Sequence, residues 1–470
     1  MFRRSVHFAV LLAFTLVAAT TAMIGCKSDP AAPGGGGDPA DTTPPTVLTI
    51  TPADGALDVP VSSSVIVVFS EQMDPASLTG TAYALSRSGG PVASSASLIG
   101  STLTITPDLD LADATDYFVT VGTDLTDLAG NALAEQVESG FTTRPAPVPV
   151  RASVRYVGRY DAADTNAVRF AWSGSGFVVR FHGTGARATM RGGRYFTVVV
   201  DGIVQPAPLA VSQSDATYDL ASNLADGEHT IEVYRRTSIA FEPTVVGAVE
   251  VDGQPLAVPP PTRQVELVGD SWSTGHGVDG PNGNCSFSAE TENHFVTWGA
   301  IAARAVGAEL STVAAGGKGI VRDFNGDRNE QMPTLYERVI GTEAGSTGTI
   351  RPVDAVIVSL GANDFINSQL PIEFVEAYAS FLGQIRARHP DALIACVWPR
   401  LDNPLETQRA RTAIDAAIAE RATAGDTRVM GADLELEALV DFGCEFHPGP
   451  QTHALMAAKT IAFLGAELGW

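Results

Sequence analysis

Residues 265–271 read Val265-Glu266-Leu267-Val268-Gly269-Asp270-Ser271, a mostly apolar run that stops at a small-residue turn carrying a serine. An apolar run that ends in this way is typical of a buried strand. A turn at the end of such a strand exposes the hydroxyl and leaves backbone N–H groups beside it, as a serine nucleophile and its oxyanion require. Gly-Asp-Ser also fits an ordinary surface turn, so its interpretation depends on the rest of the chain.

Four more apolar runs follow, and helical patterns separate them. Helices are expected where apolar residues recur three and four positions apart. The expected strands are residues 264–268, 309–314, 353–360, 391–398 and 427–432, and the expected helices are Phe295–Val306, Ile372–Arg388, Leu405–Ala424 and Thr452–Leu468. This alternation predicts a three-layer α/β domain over residues 262–470, with a parallel five-stranded sheet. Its active site should lie at the carboxyl ends of the strands.

Two β-rich segments precede the α/β domain. Residues 45–144 and 150–256 contain short β-branched and aromatic runs separated by turn signals, without a helical period. This spacing predicts two β-sandwiches. Three consecutive prolines at residues 259–261 then form a stiff link to the α/β domain. Three folded domains are consistent with a chain of 470 residues.

The start of the chain has the pattern of an export signal. Arg3 and Arg4 precede an apolar stretch, residues 8–22, that is too short to span a membrane. The following Met23-Ile24-Gly25-Cys26 resembles a bacterial lipobox, in which the cysteine is lipidated and becomes the new N-terminus. We therefore expect residues 1–25 to be a lipoprotein signal peptide.

After this signal, residues 26–44 are rich in Pro, Gly, Ala and Asp and should form a flexible tether. Lys27 follows Cys26 where inner-membrane lipoproteins often carry Asp, which favours the outer membrane or cell surface. The formal net charge of −23 argues against nucleic acid, and against adhesion to anionic lipid through charge alone. The expected membrane contact is thus the lipid on Cys26, and the protein is expected to be a monomer.

Two further segments strengthen the interpretation of Ser271. Leu360-Gly361-Ala362-Asn363-Asp364 closes one apolar run, and Glu445-Phe446-His447-Pro448 precedes the last expected helix. Together with Gly-Asp-Ser these blocks resemble those of the SGNH (GDSL-like) hydrolases. The resemblance implies that Ser271 is the nucleophile and His447 the base. The oxyanion donors would be the backbone N–H groups of Ser271 and Gly317 and the side-chain amide of Asn363.

The residue that orients the histidine departs from the broader family pattern. Many SGNH hydrolases carry Asp three residues before the histidine, but Cys444 occupies that position here, and Glu445 stands two before His447. This arrangement resembles carbohydrate esterase family 2. Glu445 is therefore a candidate catalytic acid, with Asp441 or a backbone carbonyl as the alternatives. Weaker candidates for the base are His276, His294 and His453.

The order of the domains resembles known proteins as well. Phrases such as Phe69-Ser70-Glu71-Gln72-Met73-Asp74 resemble the bacterial Ig-like domain of the SbsA type, and residues 150–256 resemble the jelly-roll domain of carbohydrate esterase family 2. The combination implies a secreted esterase that removes O-acetyl groups from polysaccharides such as xylan or glucomannan. Trp272 and Trp398 are candidate sugar platforms. No cofactor or metal is expected, since no His/Cys/Asp cluster has ligand spacing.

Two alternative functions remain open from the sequence. One is a lipase, thioesterase or other carboxylesterase of the same layout, and the other is a non-catalytic carbohydrate-binding adhesin. The cysteines leave a choice too. Cys285 and Cys444 both fall in loops and could form a disulfide, or the exported protein could have none. Cys396 lies in an expected buried strand and is interpreted as a core thiol.

Overall fold

The computed structural model describes residues 41–146, 148–365 and 371–470. The expected signal peptide, Cys26 and most of the expected tether lie outside the described residues. The chain divides into two compact units, Met1–Ala146 and Pro147–Trp470. Within the described ranges, no helix is both long and apolar enough to cross a membrane.

The first unit is a sandwich of two sheets, as predicted for this part of the chain. Val65, Val67 and Phe69 face the core while Ile66 is exposed, because successive side chains of a strand point to opposite faces. In spatial order the four-stranded sheet contains Val47–Thr51, Val65–Phe69, Thr102–Pro107 and Ser94–Ile99, and the five-stranded sheet contains Ala56–Val59, Val137–Thr143, Asp116–Val121, Tyr83–Arg87 and Gly90–Pro91.

An acidic cluster that the sequence did not point to lies in this first unit. Carboxylate oxygens of Asp41, Glu71 and Asp127 lie within 4.8 Å of one another. Desolvation, together with the charges of Asp41 and Asp127, raises the pKa of Glu71. Asp127 accepts hydrogen bonds from the side chain and backbone of Asn131, each at 2.8 Å, so it is already partnered.

The second unit begins with one ten-stranded antiparallel sheet that encloses a core of its own. This is the predicted jelly-roll β-sandwich. The 16-residue strand Gly176–Arg191 dominates it and pairs with several neighbours along its length. The strands are Val150–Arg151, Val154–Val157, Val168–Phe170, Gly176–Arg191, Tyr195–Val200, Ile203–Val204, Leu209–Ala210, Ala216–Ala221, Gly227–Arg235 and Thr244–Leu256.

The α/β domain contains the predicted parallel five-stranded sheet. In spatial order its strands are Glu309–Ala314, Gln264–Gly269, Ala355–Ser359, Leu393–Val397 and Val429–Ala432. The first strand in the chain thus lies between the second and the third. The long helix that follows Gln264–Gly269 and the long helix that follows its neighbour Ala355–Ser359 cover opposite faces of the sheet. This arrangement opens a crevice at the carboxyl ends of these two strands.

Helices cover both faces of this sheet and form the predicted three layers. Phe374–Arg388 and Pro404–Thr423 pack on one face, and Trp298–Ala305 and Pro450–Leu468 pack on the other. Short helices occur at Ser271–Thr274, Met332–Leu335 and Ala362–Phe365, and 3₁₀ turns occur at Pro75–Ser77, His294–Val296 and Cys444–Phe446. The strands are buried on both sides, which explains their nearly continuous apolar runs. Cys396 is a free, fully buried thiol within this core, as expected.

A buried ion pair joins the jelly-roll domain to the sheet of the α/β domain. Arg159 donates from Nη2 to Oε1 of Glu266 at 2.9 Å, and both side chains are at most 1% exposed. The Tyr336 hydroxyl donates to the other carboxylate oxygen at 2.7 Å. The buried His389 ring is a third partner, with Nε2 3.3 Å from Oε2 of Glu266. Burial alone would raise the pKa of Glu266, but Arg159, His389 and Tyr336 together hold it at about 2. The two domains therefore share one buried electrostatic network.

Candidate active site

Ser271 begins a one-turn helix directly after the first strand of the α/β domain. Asp270 precedes the helix, and its carboxylate accepts a hydrogen bond from the backbone N–H of Trp272 at 3.2 Å. This cap fixes the turn, so the Ser271 hydroxyl is presented at the carboxyl end of the strand. Oγ of Ser271 lies 2.9 Å from Nε2 of His447.

The environment of His447 keeps its imidazole in the basic form. Nδ1 lies 3.1 Å from the backbone carbonyl of Glu445 and donates its proton there, which leaves Nε2 free to accept the serine proton. Burial, followed by the nearby ring of His276, lowers the pKa of His447 to about 4. The ring is therefore neutral near pH 7 and can act as a general base.

The carboxylate of Glu445, predicted as a candidate acid, does not contact His447. Oε2 of Glu445 lies 3.1 Å from Nε2 of His276, and Oε1 accepts the backbone N–H of Phe287 at 3.2 Å. Glu445 has a left-handed backbone with φ 54° and ψ 37°, and this conformation turns its carbonyl toward His447 and its side chain away. The catalytic-acid prediction for the Glu445 side chain is thus corrected, and the carbonyl alternative describes the geometry.

Asp441, the other acid considered, has a structural task. Its carboxylate accepts the backbone N–H groups of Gln451 and Thr452 at 2.9 and 2.8 Å, at the start of the helix Pro450–Leu468. These are orphan donors of a helix N-terminus, and the aspartate satisfies them. Backbone and Thr452 hydrogen bonds outweigh burial and lower the pKa of Asp441.

Two of the three weaker histidine candidates, His294 and His453, are buried structural residues. His294 bonds through Nε2 to the Thr312 hydroxyl at 2.8 Å, and Nδ1 of His453 accepts the backbone N–H of Trp298 at 3.2 Å. Burial lowers the pKa of His294 to about 3 and that of His453 to about 4. Both rings are neutral members of the core near pH 7 and do not line the cleft around Ser271.

The predicted oxyanion residues Gly317 and Asn363 line the same cleft as Ser271. Gly317 has φ +74°, and a Cβ there would approach the Phe324 ring to 2.7 Å, so glycine is required on both counts. The Asn363 amide donates to the Lys318 carbonyl at 3.0 Å and to the Asp270 carboxylate at 3.2 Å. These two acceptors fix the amide beside the nucleophile, where it can redirect a proton to a developing oxyanion.

Two acids that hold this region were not identified as such from the sequence. Asp364 accepts the backbone N–H groups of Ile320, Val321 and Arg322 at 2.7–3.1 Å, and so fixes the loop after the glycine run. Asp270 ties Asn363 to the turn that carries Ser271. Burial raises the pKa of Asp364, and it raises that of Asp270 to about 7. The sequence signal was their position next to catalytic candidates, in Gly-Asp-Ser and Asn-Asp.

The cleft has a volume of about 730 Å³ and is bordered by both domains of the second unit. Ser238, Ile239 and Ala240 of the jelly-roll domain form part of its lining. The buried Glu292 accepts the backbone N–H of Ser238 at 2.8 Å and anchors this loop. Burial raises the pKa of Glu292 to about 7. The sequence pattern contained no sign that the jelly-roll domain would reach the cleft.

Of the two predicted sugar platforms, Trp272 lines the cleft and Trp398 does not. Nε1 of Trp398 donates to Asp415 at 2.8 Å, and the Arg411 guanidinium lies 3.9 Å from its ring centroid. Trp398 follows the strand Leu393–Val397, and its ring is directed onto the helix Pro404–Thr423 instead of the catalytic edge. The platform prediction for Trp398 is therefore corrected.

Cys285 and Cys444 form a disulfide bond. It links the loop after the nucleophile to the loop that carries His447. Backbone hydrogen bonds reinforce this link, since Cys444 donates to Gly277 at 2.9 Å and Glu445 donates to Cys285 at 3.1 Å. The two halves of the Ser271–His447 pair are thus connected covalently as well as through the sheet.

Three family models match the chain in succession. The bacterial Ig-like domain matches residues 41–143, the carbohydrate esterase 2 N-terminal domain matches residues 156–261, and the GDSL-like lipase/acylhydrolase family matches residues 267–455. These are the three kinds of domain that the sequence motifs resembled, in the same order.

Individual relatives match about two thirds or more of this chain. Cellulase/esterase CelE of Acetivibrio thermocellus is 30% identical over 325 residues, which cover 67% of this chain and 40% of that protein, so the chain spans less than half of that relative. An acetylxylan esterase/glucomannan deacetylase of Cellvibrio japonicus is 23% identical over 73% of this chain and 97% of that protein. The structure of a family two carbohydrate esterase from Clostridium thermocellum in complex with cellohexaose is 28% identical, with a TM-score of 0.64, over 68% of this chain and 100% of that one. By its jelly-roll and GDSL-like domains the chain belongs to carbohydrate esterase family 2, a family of carboxylic ester hydrolases.

Proposed function

We propose that the protein is a serine esterase that removes O-acetyl groups from a polysaccharide of the acetylxylan or glucomannan type. The observation that carries the proposal is the 2.9 Å contact between Ser271 Oγ and His447 Nε2 at the base of an open cleft. Relatives described as acetylxylan esterase/glucomannan deacetylase support the substrate class.

The chemistry proceeds through an acetyl-enzyme. Nε2 of His447 takes the hydroxyl proton while Oγ of Ser271 bonds to the acetyl carbon, and the carbonyl electron pair moves to oxygen. The N–H groups of Ser271 and Gly317 and the amide of Asn363 stabilise that oxyanion. When it collapses, the bond to the sugar oxygen breaks and that oxygen takes the proton from Nε2. Water then attacks the acetyl-enzyme by the same route, which releases acetate and restores Ser271.

The cleft suits a sugar better than a long acyl chain. Its lining includes the polar side chains Lys318, Arg400, Asp402 and Glu435. Trp272, Phe287 and Phe324 also line it and offer flat apolar faces on which a sugar ring can stack. Burying a long alkyl chain against the charged Lys318, Arg400 and Asp402 would remove these groups from water without new partners, which is unfavourable.

A substrate panel tests this proposal. We expect acetate release from acetylated xylan or glucomannan, and faster hydrolysis of 4-nitrophenyl acetate than of the octanoate. Enzymatic acetate assay and absorbance at 400 nm provide the two measurements. A preference for the octanoate would indicate a lipase or thioesterase instead, and a folded protein inactive on every ester would indicate a carbohydrate-binding adhesin.

We also propose that Cys26 is lipidated and that the exported protein is anchored at the outer membrane or cell surface. The support is the lipobox-like Ile-Gly-Cys after a basic and apolar start. We expect the wild-type protein to incorporate labelled fatty acid and to sediment with membranes, and we expect Cys26→Ser to incorporate none and either to be released or to stall as the unprocessed precursor. Equal labelling of the two proteins would contradict the assignment.

A further inference from the structure

Glu445 uses its two polar ends for different purposes. Its backbone carbonyl accepts the Nδ1 proton of His447 at 3.1 Å, while its carboxylate points away, to His276 at 3.1 Å and to the Phe287 N–H at 3.2 Å. The position of the carbonyl that orients the base therefore depends on where the carboxylate is held. His276 supplies a ring nitrogen for that purpose.

The backbone around this carbonyl is strained and needs support. Glu445 and Phe446 both have positive φ, at 54° and 56°, a conformation that side-chain-bearing residues rarely adopt. Backbone N–H groups of Glu445 and Phe446 donate to the carbonyls of Cys285 and Gly283, each at 3.1 Å. Those two hydrogen bonds hold the backbone of the loop, and the contacts of the Glu445 carboxylate with His276 and Phe287 hold its side chain.

His276 is also held by ring contacts, in addition to its contact with Glu445. Its ring stacks on Phe287 with centroids 3.8 Å apart and an interplanar angle of 8°. It also lies 4.3 Å from the His447 ring. A fixed donor beside the base can therefore hold the carboxylate throughout turnover.

We propose that His276 is a positioning residue of the active site, which anchors Glu445 so that the Glu445 carbonyl sets the tautomer and direction of His447. The proposal rests on the esterase function above, and it adds a second histidine that does not exchange protons with the substrate. The ionisable groups that contact His276 are Glu445 and His447. Asp270, Glu292, Lys318, Arg400, Asp402 and Glu435 line the same cleft.

Glu445 and His276 act on the pKa of His447 in opposite directions, and this difference can be measured. Burial has the largest effect on the pKa of His447 and lowers it. His276 lowers this pKa further, whereas Glu445 raises it. His276 itself has a pKa lowered by burial, with Glu445 acting in the opposite direction. Removing the carboxylate and removing the His276 ring should therefore move the pKa of His447 in opposite directions. A general loosening of the loop would not produce opposite shifts.

Three variants test the proposal in the full chain. His276→Phe keeps the stacked ring but removes the donor, His276→Gln keeps a donor of similar reach, and Glu445→Ala removes the anchor but keeps the backbone carbonyl. We expect His276→Phe and Glu445→Ala each to lower kcat by roughly 10–100-fold, since small displacements of catalytic groups have effects of this size. The double variant should be no slower than the slower single one, because the two residues act as a unit. His276→Gln should recover part of the kcat lost in His276→Phe.

The pH readout separates this proposal from the esterase assignment. The acidic limb of the kcat/KM profile should move to lower pH in Glu445→Ala and to higher pH in His276→Phe. ¹⁵N NMR of the histidine rings measures the His447 titration and tautomer without substrate, so it applies even if the wild type hydrolyses no tested ester. An unchanged His447 titration in both variants, or additive losses of kcat in the double variant, would overturn the proposal.

Discussion

Ser271→Ala is expected to lower kcat on an acetate ester by roughly 10⁴–10⁶-fold while the fold is retained. The substitution removes the atom that lies 2.9 Å from Nε2 of His447 and that forms the acetyl-enzyme. His447→Ala should have a similar effect, because the hydroxyl then has no base. Asn363→Ala should cost less, roughly 10²–10³-fold, since the backbone N–H donors remain.

Ser273→Ala offers a matched control in the same one-turn helix. The Ser273 hydroxyl is buried, and no hydrogen-bond partner is found for it among the described residues. Removing it should therefore leave both the fold and the turnover near wild type. Steady-state kinetics and circular dichroism on the four variants provide the measurement. A folded Ser271→Ala protein with wild-type turnover would show that another residue is the nucleophile.

The sequence was most informative where periodicity dictates structure. The five strands of the parallel sheet followed from apolar runs that must be buried on both faces, and the four helices that cover the sheet followed from apolar residues three and four positions apart. Ser271, Gly317 and Asn363 each follow the end of one of these strands, and parallel strands end at the same edge of a sheet, so the sequence predicts that the three residues lie together. The family motifs and the order of strands and helices are independent signals, and both predict that these three residues lie in one site.

The sequence was least informative about the directions of individual side chains in loops. The conformation of Glu445 has positive φ, which residue identity does not predict for a glutamate, so the destination of its carboxylate could not be read from spacing. Trp398 lies at a strand end as expected, but its partners Asp415 and Arg411 are on the next helix of the chain, and residue identity alone does not show that the ring turns toward that helix. The ion pair of Glu266 with Arg159 joins residues 107 positions apart, so it could not be predicted from the sequence around Glu266, a polar residue in an apolar strand.

Arg159→Met is expected to lower the free energy of unfolding of the second unit by roughly 3–5 kcal/mol, because it leaves the Glu266 carboxylate buried without its main cation. Both side chains are at most 1% exposed, so water cannot replace the lost partner. Arg191→Met provides the control: Arg191 pairs with Asp215, their side chains are 41% and 61% exposed, and the loss should stay below about 1 kcal/mol. Urea denaturation of the three proteins gives the comparison.

Acid should reveal whether charge or packing causes the loss in Arg159→Met. The wild-type pKa of Glu266 is about 2, below its ordinary value of 4.5, so the stability from ionised Glu266 is present above pH 4.5 and is lost as the pH falls toward 2. In the variant the carboxyl keeps Tyr336 and His389 but lacks the guanidinium, so it should take up a proton at a higher pH than in the wild type, because burial raises its pKa. The difference between wild type and variant should therefore shrink between pH 7 and pH 3. A difference in stability that stays constant over this range would contradict the role of charge. Arg159 would then contribute through packing against Tyr336, whose ring centroid lies 4.5 Å from the guanidinium. The remaining partners of Glu266 would be enough to stabilise its charge.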